Sequence, residues 1–248
     1  MKRWLLLGLA AFFTMLLIRL PAAWFARALP SQLQCDALAG SVWRGQCMGL
    51  SIAQGVAERP PLRMDALNWS LHPLALLRGQ ISADVDLVRG QDQAHALVIH
   101  AGGAQIDVQH LNGSLRIDRQ LLPPLPAGWK GVAVFDDVGL KLDGSMILEL
   151  SGVGQLSNLT DAAGESLGSY QLDFGSQPQT APFSGQFQSL EGPLQLQGRI
   201  TLQANTGWLL EGTVAAQSTT PAELARMLEL LGPADASGKR PFSMEGEP

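Results

Sequence analysis

Beyond residue 30 the chain alternates between apolar and polar residues with a period of two, which is the pattern of half-buried β-strands. Segments with this pattern, apolar on one face and polar on the other, are Ile81–Leu87, Leu111–Ile117, Phe183–Phe187, Leu194–Leu202 and Trp208–Val214. Strand follows strand at roughly 8–12 residues, a spacing typical of a meandering antiparallel sheet.

One tight hairpin can be predicted from its turn. Asp143-Gly144 separates two alternating segments, Val138–Leu142 and Met146–Leu150. Both turn residues tolerate a positive φ, which two-residue hairpin turns require. The sequence therefore predicts two paired strands joined at these residues.

Two short helices interrupt the strand pattern. The first is predicted to begin at Pro73 and end at Gly79, covering one end of the sheet. The second has a capping box at Thr220–Glu223, with proline at the first helical position, and ends at Gly232-Pro233. Its apolar stripe is Leu224, Met227, Leu228 and Leu231. We expect this stripe to pack over a sheet end, and the alternative is a surface that binds a partner.

The N-terminus carries a long apolar run. Trp4–Ile18 contains no charge and follows Lys2 and Arg3. A transmembrane helix needs ~17–25 apolar residues, so the run falls slightly short unless it continues through Arg19 into Leu20–Ala26. The Arg19 side chain can extend toward the headgroups. The residues predicted to lie in the membrane include Trp4, Leu5, Leu6, Leu7, Phe12, Phe13, Leu16, Leu17 and Ile18.

The alternative for this segment is a cleaved signal peptide, since Ala26-Arg27-Ala28 resembles a small-x-small cleavage site. An uncleaved anchor is favoured because Arg19 and Trp24 separate that site from the apolar run, and Trp24 suits a membrane interface. Lys2 and Arg3 place the N-terminus in the cytoplasm and the rest of the chain outside it.

Composition agrees with a β-rich domain of low charge. Only 16% of the residues are charged, and the chain holds 27 glycines and 15 prolines. Residues 1–30 carry four basic side chains and no acid. Since the net charge of the whole chain is −5, residues 31–248 carry a net charge of −9. An acidic domain is repelled by phosphate backbones, which excludes nucleic acid as a partner.

The predicted fold is mainly β: an N-terminal transmembrane helix, then a curved antiparallel β-sheet, groove-like or open-barrel-like, with two short capping helices. The predicted divisions are residues 1–30 for the anchor and its flank, 31–232 for the β-rich domain and 233–248 for a tail. The proline-rich segment Leu121–Gly128 is either a crossover loop within one sheet or a boundary between two domains.

Two cysteines follow the apolar run, Cys35 and Cys47. In an oxidising compartment this spacing favours one disulfide that closes a small loop. The alternative is a pair of free buried thiols.

The sequence contains no residue pattern typical of a catalytic site. The four histidines, His72, His95, His100 and His110, lack metal-ligand spacing. Asp84 and Asp86 fall on the polar face of a strand, where solvated carboxylates are usual. The sequence therefore predicts no enzyme activity, no cofactor and no metal, with an envelope enzyme as a third alternative.

Two segments carry a family resemblance. Gly40-Ser41-Val42-Trp43-Arg44-Gly45 resembles the Gly-Thr-Val-Trp-x-Gly element of type II secretion system protein N, the general secretion pathway protein N family. The segment Leu231–Ser243 is similar to that family's closing motif, Leu-Gly-Pro followed by Gly-Arg-Arg-Tyr/Pro-Phe. Length, anchor and β-rich remainder also fit, so the resemblance covers nearly the whole chain, but Cys35 and Cys47 are not part of it.

The resemblance implies a non-catalytic, single-pass component of the bacterial inner membrane, with the bulk of the chain in the periplasm. It would assist assembly or stability of the machine that exports folded proteins across the outer membrane. Its partners would be other type II secretion subunits, in the inner-membrane platform or among the secretin-linking proteins, and the inner membrane itself.

A second resemblance supplies an alternative function. The segment Leu67–Ile81 is similar to pieces of AsmA-like proteins, which are anchored β-grooves associated with lipid movement. This likeness implies a lipid-binding or lipid-transfer groove. From the residues alone, Trp43 and Trp69 are predicted to be core side chains, and Gly40 and Gly45 to permit turns flanking the Trp43 strand.

Overall fold

The computed structural model describes residues 15–16, 19–24, 33–53, 61–118, 121, 125–144, 146–203 and 207–246. Over these residues the chain is mainly β, with thirteen antiparallel strands and two short helices. The strands follow one another in the sheet in the order of the chain, as expected for a meander. The chain divides into two compact units, residues 1–93 and 94–248.

Unit 1 contains four strands and one helix: β1 (Leu33–Gly40), β2 (Arg44–Ile52), β3 (Leu62–Leu71), α1 (Pro73–Leu76) and β4 (Ile81–Arg89). Each of these strands pairs antiparallel with the next. Its most deeply buried apolar side chains in the described part are Ala22, Cys47, Leu50 and Met64. Helix α1 buries none of its residues, so it contributes little to this core.

Unit 2 contains the remaining elements, except that the first two residues of β5 fall in unit 1. They are β5 (Asp92–His100), β6 (Gln105–Ile117), β7 (Lys130–Asp143), β8 (Met146–Thr160), β9 (Ser166–Asp173), β10 (Phe183–Glu191), β11 (Leu194–Gln203), β12 (Gly207–Ala216), α2 (Ala222–Glu229) and β13 (Arg240–Gly246). Neighbouring strands pair antiparallel throughout. Phe183 is fully buried and Val214 is 2% exposed.

Aromatic rings cover strand glycines in unit 2. Phe187, Gly198, Gly212 and Phe242 are successive partners across β10 to β13. A Cβ on Gly198 would lie 2.6 Å from the Phe187 ring, and one on Gly212 would lie 2.9 Å from it. The Phe187 and Phe242 rings are 6.1 Å apart between centroids. Glycine usually weakens a strand because it has no side chain to pack, and the two rings supply that packing.

Bulges distort the long strands of unit 2. His110, Asp137 and Asn158 have φ values of 52°, 49° and 53°, in the left-handed region. They lie at register shifts in β6, β7 and β8. Side chains stabilise the first two, because Asn112 donates to the His110 carbonyl (2.8 Å) and accepts from the Asp137 amide (2.9 Å). Since a bulge bends its strand, these residues support the predicted curvature within unit 2.

The predicted hairpin is confirmed, but its turn begins at Gly144, one residue later than the predicted Asp143-Gly144. Asp143 ends β7 and pairs with Met146 at the start of β8, and Gly144 has a φ of 61°. The Leu121–Gly128 segment, of which residues 121 and 125–128 are described, joins β6 to β7. These two strands pair with each other along most of their length, so the segment connects neighbours within one sheet.

The predicted capping box of α2 is wrong. The helix is capped by Pro221, with no side-chain hydrogen bond. The Thr220 hydroxyl instead donates to the Pro193 carbonyl and accepts from the Gln217 amide at 2.7 Å. This long-range bond removes the hydroxyl from the helix terminus. The helix ends at Glu229, three residues before the predicted stop at Gly232-Pro233, and Gly232 has a φ of 105°.

The predicted transmembrane residues lie largely outside the described part of the chain: Trp4, Leu5, Leu6, Leu7, Phe12, Phe13, Leu17 and Ile18. Leu16 is described and is 44% exposed. Among the described residues, no helix combines the length and the apolar character that a membrane crossing requires.

Candidate functional site

The Gly40–Gly45 turn closes the β1–β2 hairpin. Gly40 has a φ of 85°, and a Cβ there would lie 2.5 Å from the Arg44 carbonyl oxygen. The Ser41 amide donates to that same oxygen at 2.8 Å, and the Arg44 amide donates to Ser41 Oγ at 3.2 Å. Glycine is therefore required at position 40 both for its φ and for the space.

Trp69 packs on this turn from the neighbouring strand. It pairs with Gly45, where a Cβ would lie 2.2 Å from the Trp69 ring. The Trp69 indole N–H donates to the Val42 carbonyl at 2.9 Å, and the Leu71 amide donates to the Trp43 carbonyl at 2.7 Å. The structure thus brings the four motif residues Gly40, Trp43, Gly45 and Trp69 together, and both tryptophans are partly buried.

The Gly40–Gly45 turn is also hydrogen-bonded to the segment that follows the apolar run. The Val42 amide donates to the Leu20 carbonyl at 2.9 Å, and Pro21 forms an isolated bridge with Ser41. Ala22 is 3% exposed. These contacts attach residues 20–22 to unit 1. These contacts could not be predicted from the sequence, because no local pattern relates positions 20 and 42.

Cys35 and Cys47 lie at disulfide-bonding distance, with Cα atoms 5.6 Å apart. Cys47 pairs with Leu38 and Cys35 with Leu50, so the bridge runs diagonally across β1 and β2. Cys47 is 1% exposed. The disulfide therefore links the edge strand β1 to a core position of unit 1.

Helix α2 presents a divided apolar stripe. Leu228 is 8% exposed, and α2 contacts β12, so Leu228 packs inside the unit and offers little surface to a partner. Met227 is 63% exposed and Leu231 is 46% exposed, whereas Leu224 is partly buried. Leu230, which sequence reasoning did not select, is 87% exposed. The accessible apolar surface at this helix is therefore Met227, Leu230 and Leu231.

Asp235 organises the connection from α2 to β13. Its carboxylate accepts hydrogen bonds from the Ser237 hydroxyl (2.7 Å), the Lys239 amide (2.9 Å) and the Ser237 amide (2.8 Å). These bonds, the Ser237 hydroxyl first, lower the pKa of Asp235 because they favour the charged form. The connection leads into the edge strand β13, where Pro241 lacks an N–H for a further strand.

A row of glutamines crosses strands β8 to β11 on one sheet face of unit 2. Gln155, Gln171, Gln188 and Gln197 are successive partners on β8 to β11. An open cavity of about 470 Å³ lies over the last three and includes Asp173. Alternating glutamines at 186 and 188 and at 195 and 197 are visible in the sequence, although their alignment across strands is not.

Three pairs of ionisable side chains in the described part of the chain are half-exposed or exposed. His72 Nε2 lies 2.7 Å from Asp84, with side chains 46% and 40% exposed. His110 Nδ1 lies 2.7 Å from Asp137, with side chains 68% and 64% exposed. Lys141 Nζ bonds Glu149 at 3.0 Å, which raises the pKa of Lys141. Solvent screens such pairs, so each contributes little to stability.

No cluster of His, Cys, Asp or Glu among the described residues has the geometry of a metal site. His95 and His100 lie on β5, as predicted, and Asp84 and Asp86 lie on β4. Together, the described residues define a β-meander protein that presents open surfaces, polar on one sheet face and apolar at exposed leucines.

Comparison with known proteins gives the family. The family model for the type II secretion system (T2SS), protein N, matches residues 31–243. The chain belongs to this family, which confirms the resemblance of its two motifs. The type II secretion system protein N of Aeromonas hydrophila is 24% identical over 263 residues, covering 97% of this chain and 96% of the relative. No solved structure matches the chain significantly.

Proposed function

We propose that this protein is a non-catalytic component of the type II secretion machinery, anchored in the inner membrane with its β-sheet in the periplasm. It assists the assembly or stability of the complex that exports folded proteins. The family match over residues 31–243 carries this proposal. A disulfide-bonded cysteine pair in unit 1 agrees with an oxidising compartment such as the periplasm.

Contact with other subunits has two structural supports. Among the described strands, the edge strands β1 and β13 each have one sheet neighbour, so β1, and β13 away from Pro241, can offer backbone groups to a strand of a partner. The exposed Met227 and Leu231 on and after α2 offer apolar side chains. We assign subunits of the inner-membrane platform or the secretin-linking proteins as the partners.

In-cell crosslinking tests this function. A photoreactive amino acid at Met227 is expected to capture a secretion-system subunit. The matched control is Glu229, which is exposed and lies two residues further, on the other side of the helix. Capture at position 227 but not at 229 supports the proposal, whereas capture of phospholipid alone at 227 contradicts it.

The second candidate is a lipid-binding groove. The observation that favours it is the apolar face of β11 and β12, where Leu196, Ile200 and Leu210 are only partly buried. Acyl chains bind to apolar surface left accessible in this way. Lipid co-purifying with the detergent-extracted chain, and lost in an Ile200→Glu variant that keeps its secondary structure, would favour this function over a scaffold.

A further inference from the structure

Three chain segments meet at one end of unit 1. Residues 20–22 contact the turn at Ser41 and Val42, through the Val42 amide and the Leu20 carbonyl at 2.9 Å. The β3–α1–β4 connection reaches the same end, because the Leu71 amide donates to the Trp43 carbonyl at 2.7 Å. We call this region the turn end, defined by residues 19–24, 41–44 and 71–82.

The turn end exposes large apolar side chains. Leu74 is 76% exposed and Leu77 is 85% exposed, while Leu76 and Ile81 are 46% and 49% exposed. Trp24 adds an indole that is 68% exposed. Single exposed leucines are common, but four large apolar side chains exposed between residues 74 and 81 indicate an interaction surface.

The local backbone holds these leucines in place. Helix α1 starts at Pro73 and is followed by Gly79, whose φ is 72°. The amides of Leu77, Arg78 and Gly79 donate to carbonyls at 3.3, 2.9 and 3.0 Å. The His72 amide also donates to the Ser82 carbonyl at 2.8 Å, which closes the connection. The exposed side chains therefore project from a closed, hydrogen-bonded loop.

The chain path indicates what covers this surface. Leu20, which is bonded to the turn, follows Ile18 by two residues, and Ile18 ends the apolar run. A fully extended chain spans at most about 3.3–3.6 Å per residue, so the turn end lies within roughly 7 Å of the end of that run. A membrane-embedded run consequently brings the turn end to the headgroup layer.

Charge at the turn end suits the same partner. Arg19, Arg44 and Arg78 are exposed there, and basic side chains attract anionic headgroups. The nearby carboxylate of Asp84 is held by His72 at 2.7 Å. This local balance differs from the acidic composition of the chain beyond residue 30.

We propose that the turn end is a membrane-contact surface, with Leu74, Leu77 and Trp24 inserted at the headgroup boundary and the arginines among the phosphates. The surface fixes the orientation of unit 1 on the bilayer, in addition to the tether. This proposal rests on the proposed membrane anchor, and it commits to lipid rather than to a protein or a second copy.

The test uses the full chain in vesicles of phosphatidylethanolamine and phosphatidylglycerol. An environment-sensitive fluorophore is attached at Leu77→Cys, whose thiol is the only free one because Cys35 and Cys47 are bonded to each other. The matched control is Leu230→Cys, also a leucine at the end of a short helix and 87% exposed. Nitroxide-labelled lipid should quench the probe at 77 at least about twofold more than at 230, as expected for a depth of ~5–10 Å.

Flotation of the vesicles separates this proposal from the proposed anchor. Protein that floats with the vesicles and is quenched at 77 but not at 230 supports both. Protein that floats but shows equal quenching at the two positions keeps the anchor and overturns the membrane-contact surface. Protein that does not float overturns both proposals.

Discussion

The substitution Gly45→Ala tests the packing of the turn most directly. A Cβ at this position would lie 2.2 Å and 2.7 Å from two Trp69 ring carbons and 2.8 Å from the Ser41 carbonyl oxygen. Non-bonded carbons prefer separations of about 3.5–4.0 Å, so the ring has to move by about 1 Å or more. Such movement also disturbs the bond from the Trp69 indole to the Val42 carbonyl.

The magnitude follows from these contacts. Overpacking costs about 1–3 kcal/mol, and a disturbed hydrogen bond costs about 0.5–1.5 kcal/mol more. The lower entropy of unfolded alanine returns about 0.4–1 kcal/mol. We therefore expect Gly45→Ala to destabilise the protein by about 2 kcal/mol, or roughly 4–8 °C in Tm for a chain of this size.

The matched control is Gly154→Ala. Gly154 also lies within a strand, and a Cβ there would meet nothing within 4 Å. We expect its Tm to be unchanged or slightly raised. Thermal unfolding followed by circular dichroism and tryptophan fluorescence, without reductant, compares the two variants. Equal midpoints for Gly45→Ala and Gly154→Ala would refute the packing argument.

Three further predictions concern other parts of the chain. Cys47→Ser should remove about 3 kcal/mol of loop-closure stabilisation, so its melting temperature should fall below that of the wild type only without reductant. Equal melting temperatures of the wild type and the variant without reductant would contradict a stabilising disulfide. Carboxyl-detected NMR should place the pKa of Asp235 below its ordinary ~3.9, and Ser237→Ala should raise that pKa. The hydrogen bond from the Ser237 hydroxyl to the Asp235 carboxylate stabilises the fold above the ordinary pKa, and this stabilisation is lost as the pH falls through the pKa of Asp235 in the folded protein. Burial raises the pKa of Tyr170, the one tyrosine in the sequence, so its absorbance should titrate above ~10 in folded protein and near ~10 in denaturant. The stability linked to this shift is lost as the pH rises through the pKa of Tyr170 in the folded protein. Coincident titration curves in folded and denatured protein would contradict the burial of Tyr170.

The sequence predicted the elements whose signals are local. Period-two alternation located seven of the described strands, β4, β6, β7, β8, β10, β11 and β12, and Asp143-Gly144 located the β7–β8 hairpin, because both signals lie within a few residues. The alternation was wrong at the start of β4, where Ile81 is 49% exposed and Ser82 is 8% exposed. That inversion occurs at the turn end, where β4 begins just after α1, and period alone could not indicate which face is buried there.

Long-range contacts decide the features that could not be predicted from the sequence. Thr220 has the residue type and spacing of a helix cap, yet its hydroxyl bonds the Pro193 carbonyl. The His110 and Asp137 bulges depend on Asn112, which reaches the Asp137 amide across strands. The Thr220 hydroxyl and the Asp137 amide each bond a partner about 25 residues away or more, which no short window contains.

The two segments that carry the family resemblance are engaged in packing. In the first, Gly45 makes room for Trp69; in the second, Phe242 packs near Phe187 over strand glycines. Substitutions in these segments therefore disturb folding, so loss of secretion in such variants does not identify a contact with a partner. Contacts with the membrane or with another subunit are better sought at exposed side chains that the fold does not use, such as Leu77 for the membrane and Met227 for a subunit. A secretion screen that also measures protein level separates the two cases, because Gly45→Ala should lower the level whereas Leu77→Ser should lower export at an unchanged level.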